Sequence, residues 1–170
     1  MSVINATQFV GIVAFGIAAV VSTLAWRAAR DARRHWALIV IVNTLLAAEC
    51  GMGVRHRLHA FATDWLMARN LYGARHMPQE YLIAVAAAVG LILALAIVVR
   101  ARRRSVECLA TWLATILSLV LFAIETVSLH SIDAVFYRPV GSVALIGWLW
   151  LILGSATALS ARAELRHNKP

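Results

Sequence analysis

Charge is scarce in this chain, and so are cysteine, proline and lysine. Only 14% of its 170 residues are charged, where a soluble domain carries roughly 25%. That deficit excludes a large water-exposed domain and a disordered tail. Two cysteines and three prolines leave no disulfide scaffold and no low-complexity linker. Nucleotide-binding and hydrolase signatures are missing as well. The chain contains no G-x-x-x-x-G-K-[ST], no dinucleotide fingerprint, no G-x-S-x-G and no paired C-x-x-C, so no ATP-driven or nucleophile-elbow chemistry is legible.

What is present is apolar. Hydrophobic residues make up 62% of the chain, arranged in long uncharged runs broken by short basic clusters. A helical crossing of a bilayer uses about 20 residues, and five runs reach that length. They are expected at about 3–26, 36–54, 81–99, 108–129 and 140–161. The runs are continuously apolar instead of alternating, which favours helices over a barrel. No basic region precedes the first run, so it reads as a retained span and not a cleaved leader. The expected fold is an all-α, polytopic membrane bundle of five transmembrane helices in a single domain.

The positive balance of +8 comes from 15 arginines and one lysine, Lys169. Their distribution fits topology and argues against nucleic-acid binding. Eleven basic residues lie on the side of the first and third connections and the carboxyl tail, against five on the other side. The amino terminus is therefore expected outside and the carboxyl terminus in the cytoplasm of a bacterial-type plasma membrane. Arg100 to Arg104 serves as a topology anchor in this arrangement. Cys50 and Cys108 start at different depths on their spans, too far apart for a disulfide. Small residues recur every four positions at Ala86, Gly90 and Ala94, and again at Gly154 and Ala158, a spacing that lets helices approach closely in lipid.

Chemistry concentrates at the outer ends of the second and fourth spans. Glu49 and Glu125 are embedded acids at matching depth, and a carboxylate there costs a few kcal/mol unless paired, protonated or hydrated. If the second span continues unbroken, Glu49, His56 and His59 share an arc of about 80°; Thr126, His130 and Asp133 share about 60° after the fourth. Three readings follow. His56, His59, His130 and Asp133 have i, i+3 spacings suited to a Zn or Fe site, with Glu49 or Glu125 moving protons in a metal-dependent enzyme. A b-type haem held between a histidine of the second span and His130 is a further alternative. In the third reading the acids are neutralised by arginine or histidine and hold the helices together, as in a noncatalytic subunit or lipid-binding accessory of a larger membrane complex.

The second connection adds a possible anion site. Phe61, Trp65, Ala68 and Tyr72 follow helical spacing, which predicts an interfacial helix between the second and third spans, ending near Gly73. Arg55, Arg57, Arg69, Arg75 and, from the fourth connection, Arg138 gather near the acids. Planar guanidinium groups suit phosphate or carboxylate, so membrane lipids or another amphipathic anion are the expected ligands.

Overall fold

A computed structural model describes residues 4–29, 32–69, 76–100, 105–127 and 130–167. The first helix, α1, spans Ala6–Ala28. It starts at a capping box: the Asn5 side chain accepts from the Gln8 amide at 2.8 Å, and the Gln8 side chain accepts from the Asn5 amide at 3.0 Å. Two of the orphan amides of the first turn are thereby satisfied without water. A short connection leads to α2, Arg33–Met52. Gly53 then adopts φ 61°, a left-handed conformation that ends the helix and that glycine reaches without steric cost. A separate helix, α3, runs over Val54–Ala68.

The remaining spans are α4, His76–Arg100, then α5, Val106–Val127, and α7, Leu145–His167, with a short α6, His130–Phe136, between the last two. Pro78 lies in the first turn of α4, where its missing amide breaks no helical hydrogen bond. Five helices are thus long and apolar enough to cross a membrane, and the chain is a multi-pass, nearly all-helical membrane protein.

Two boundaries differ from the hydropathic expectation. The fifth apolar run begins at residue 140, yet α7 begins at Leu145 because 139–144 form a hairpin. Strands β1, Pro139–Val140, and β2, Val143–Ala144, pair antiparallel, and Gly141 turns between them at φ 70°. Apolarity alone does not separate a short buried strand from the first turn of a helix. The second difference is the break at Gly53. It rotates everything after it, so Glu49, His56 and His59 do not share a face of one continuous helix. Asp133 belongs to α6, whose described residues are His130–Phe136.

Packing divides the spans into a four-helix core and one outlier. Helix α1 packs along α2 and α7, and α5 packs along α7 and α4. Only 6% of the α4 span is buried, against 28–39% for the others. Among the described residues its close seam is with α5, where the Gly90 backbone lies against Val120. In the core, a Cβ on Gly154 would sit 2.9 Å from backbone atoms of Ala14, so α1 and α7 are in backbone contact there. Both glycines of the small-residue stripes are therefore used within the chain.

Two apolar clusters close the ends of the core. One contains Phe15, Leu46, Cys50, Phe122, Ile146 and Trp150; the other contains Ala25, Ala29, Trp36, Ile39 and Ala161, with Trp112 packed against it. Cys50 and Cys108 are free thiols, both buried.

Candidate functional site: a buried arginine–glutamate pair

At the Gly53 break, α2 and α3 are joined by one side chain. Glu49, in the last turn of α2, accepts from the amide of Val54 at 3.1 Å through Oε2 and from that of Arg55 at 2.8 Å through Oε1. Its own carbonyl accepts from the Gly53 amide at 2.8 Å. Glu49 therefore serves as an N-terminal cap for α3, where negative charge is favoured by the exposed amides and the helix dipole.

The cap sets the direction in which Arg55 leaves α3. Its side chain turns into the bundle and is only 5% exposed. Arg55 Nη2 lies 3.1 Å from Glu125 Oε1, and the Tyr137 hydroxyl donates to the same oxygen at 2.7 Å. The guanidinium carbon is 4.8 Å from the ring centroids of both Phe122 and Trp150. These two rings stack on each other at 5.4 Å. The guanidinium is held by the ion pair and two aromatic faces, and the phenol supports the carboxylate opposite it, which together offset the desolvation of the pair. The Cys50 thiol also borders the guanidinium. Four buried polar atoms of the cluster have no hydrogen-bond partner among the described residues: Arg55 Nε and Nη1, Glu125 Oε2 and Trp150 Nε1.

Glu125 is surrounded by charge of both signs. Arg55 opposes it, while Glu49 and Asp133 act on it as like charges. Tyr137, outside the spans, has its phenol pushed above the ordinary tyrosine range, first by burial and then by the Glu125 carboxylate. A hydroxyl that must donate to a carboxylate resists ionisation for the same reason.

The candidate residues separate into distinct places. Glu49, Arg55 and Glu125 come together as the sequence suggests, through α3 instead of through a common helix face. Asp133 is half-buried on α6, and its carbonyl accepts from the Tyr137 amide at 2.9 Å. His56 is exposed and borders Gly53. Arg57 and Arg138 are exposed, and Arg69 stacks over Trp65 with its guanidinium carbon 4.2 Å from the ring centroid. The side chains of His59 and His130, and all of Arg75, lie outside the described residues. Among the described residues, no group of three or more His, Cys, Asp or Glu is placed to hold a metal ion. Tyr137, Phe122 and Trp150 join the site without any sequence signal. Their spacing from Arg55 is irregular, and only the return of the chain through α6 and the hairpin brings the phenol to Glu125.

The fold and this site define a multi-pass membrane helical bundle with an ion pair sealed into one end. No protein family, curated protein sequence or solved structure matches the chain.

Proposed function

We propose that the protein is a noncatalytic, lipid-contacting membrane protein, an accessory or subunit of a larger membrane assembly, in which α3 lies along the extracytoplasmic boundary of a bacterial-type plasma membrane. The observation that carries this reading is the apolar stripe of α3. Val54, Leu58, Phe61 and Trp65 fall within about 60° of one another on the helical wheel, and all four are exposed, Phe61 to 69%. Among the described residues, only the Arg69 guanidinium over Trp65 lies against the stripe. Arg57 and Arg69 border the stripe, and a basic amphipathic helix with tryptophan on its apolar face suits the boundary of headgroups and acyl chains.

The engagement of both embedded acids supports a noncatalytic role over a metal-dependent enzyme. Glu49 holds two backbone amides, and Glu125 holds a guanidinium and a phenol. Both carboxylates therefore already serve as partners that hold the fold together. The arginine count supports the orientation: the basic connections and the carboxyl tail take the cytoplasmic side, and the Arg55–Glu125 end faces out.

The test uses the full chain in nanodiscs made with brominated lipids. Tryptophan emission should be quenched, and the quenched fraction should fall in Trp65→Phe. In nanodiscs mixing phosphatidylcholine and phosphatidylglycerol, Arg57→Gln/Arg69→Gln should lower the phosphatidylglycerol that stays bound on detergent extraction. Emission from Trp65 that is unquenched and water-like would overturn the placement of α3.

A further inference from the structure

Each of the four core helices places a wholly buried polar side chain between the two apolar clusters. On α1 it is Ser22, between Phe15 and Ala25; on α2 it is Asn43, between Ile39 and Leu46. On α7 it is Thr157, between Trp150 and Ala161, and on α5 both Thr115 and Ser118 lie between Trp112 and Phe122. The centre of the bundle, which would sit near the middle of the bilayer, is therefore polar.

The buried face of α5 carries more of these polar groups than any other core helix. Its buried positions are Cys108, Thr111, Ala114, Thr115, Ile116, Ser118, Phe122 and Glu125; within that face Cys108, Thr111, Thr115, Ser118, Phe122 and Glu125 alternate by three and four residues, as a single seam does. At one end stands the Arg55–Glu125–Tyr137 cluster. At the other, Ser105 caps α5 by accepting from the Cys108 amide at 3.2 Å, and its hydroxyl donates to Glu164 of α7. A carboxylate thus stands at each end of the seam.

The hydrogen bonds of this layer leave some of its polar atoms unmatched. Thr111, Thr115, Ser118 and Thr157 each donate their single hydroxyl proton to the carbonyl four residues earlier, at 2.7, 2.8, 2.9 and 3.0 Å. Their remaining lone pairs can only accept. Asn43 donates to the Ile39 carbonyl at 2.9 Å, and its Oδ1 has no partner among the described residues. Ser22 Oγ has none either. Within hydrocarbon, unmatched buried polar atoms require a partner, and water, which both donates and accepts, is small enough to reach Asn43 Oδ1 and Ser22 Oγ between packed helices.

We propose that this seam is a proton path across the bundle, in which water bridges the hydroxyls of Thr111, Thr115 and Ser118 and links Glu125 to Glu164. A proton taken up at Glu125 Oε2 passes Phe122, moves along the hydroxyl and water chain as an excess proton stabilised by the surrounding acceptors, and leaves from Glu164. One proton enters for each that leaves, and charge is balanced by movement of a counter-ion across the membrane. Arg55, Tyr137, Glu49 and Asp133 surround the entry group; Phe122 is the apolar constriction between it and Ser118. Buried polar groups of this kind mark proton relays in membrane proteins. The inference does not depend on how α3 meets lipid.

The experiment is proton flux into liposomes reconstituted with the full chain, driven by a potassium gradient with valinomycin and read with an enclosed pH dye. Flux should exceed that of protein-free liposomes and fall by about tenfold in Thr115→Val/Ser118→Ala. Glu125→Gln should lower it as well. Circular dichroism and size-exclusion profiles establish that each variant is folded. Wild-type flux equal to that of empty liposomes overturns the proposal, whether or not the variants fold. Flux that persists unchanged in a folded Thr115→Val/Ser118→Ala protein also overturns it and leaves the hydroxyls as helix-packing groups.

Discussion

Replacing Arg55 by methionine would isolate the energetic role of the buried pair. Methionine keeps much of the aliphatic stem and its packing against Phe122 and Trp150, but it removes the charge. Glu125, whose side chain is 0% exposed, would be left opposite no cation, with only the Tyr137 hydroxyl as a donor. Breaking a buried pair on one side costs about 3–5 kcal/mol. The Glu49 cap is spared, since it uses the Arg55 backbone amide and not its side chain. Removing both charges in Arg55→Met/Glu125→Leu takes away the desolvation cost along with the attraction, so the double variant should lose only about 1–2 kcal/mol. The two substitutions are thus expected to be coupled by at least about 2 kcal/mol. Unfolding by sodium dodecyl sulfate in mixed micelles, followed by tryptophan emission, measures all four corners of the cycle. An Arg55→Met cost below about 1 kcal/mol, or additivity within about 0.5 kcal/mol, would refute the claim that this pair holds α3 to the bundle.

Two further expectations concern the hairpin and the α1–α7 seam. Tyr137 has its phenol raised by burial and by the Glu125 carboxylate, so its contribution to stability is complete below about pH 10, the ordinary tyrosine value, and is lost as pH rises through the raised value. Tyr137→Phe should therefore cost about 1 kcal/mol at neutral pH and flatten the alkaline limb of a stability profile; an unchanged limb would show that the phenol is not what titrates. In Gly154→Ala, the new Cβ meets Ala14 backbone atoms at 2.9 Å. Backbone cannot yield as a side-chain end can, so a loss of about 1–3 kcal/mol is expected, read as a lower melting temperature in detergent. A neutral Gly154→Ala would mean that α1 and α7 are free to separate.

The five spans were readable from the chain because lipid imposes one severe rule: backbone polar groups must be satisfied within each crossing, so a run of about 20 apolar residues admits little besides a helix. The scarcity of charge and the placement of arginine carried the same message. Local chemistry also announced Glu49 and Glu125 as unusual, since an acid inside an apolar run demands a reason. What partner answers that demand was not local. Gly53 could turn the chain by adopting a left-handed conformation, and that turn, not helical periodicity, aims Arg55 inward while leaving Arg57 outside. The hairpin at 139–144 hid within an apolar run because its short strands look like the first turn of a helix. Tyr137, Phe122 and Trp150 belong to three different segments, and only their packing makes them one environment for a guanidinium. Sequence by itself determined the solvent and the five spans, since both depend on residues within about 20 positions of one another. Tertiary structure alone decided which buried charges meet, because that depends on where the chain bends and on which helices share an interior.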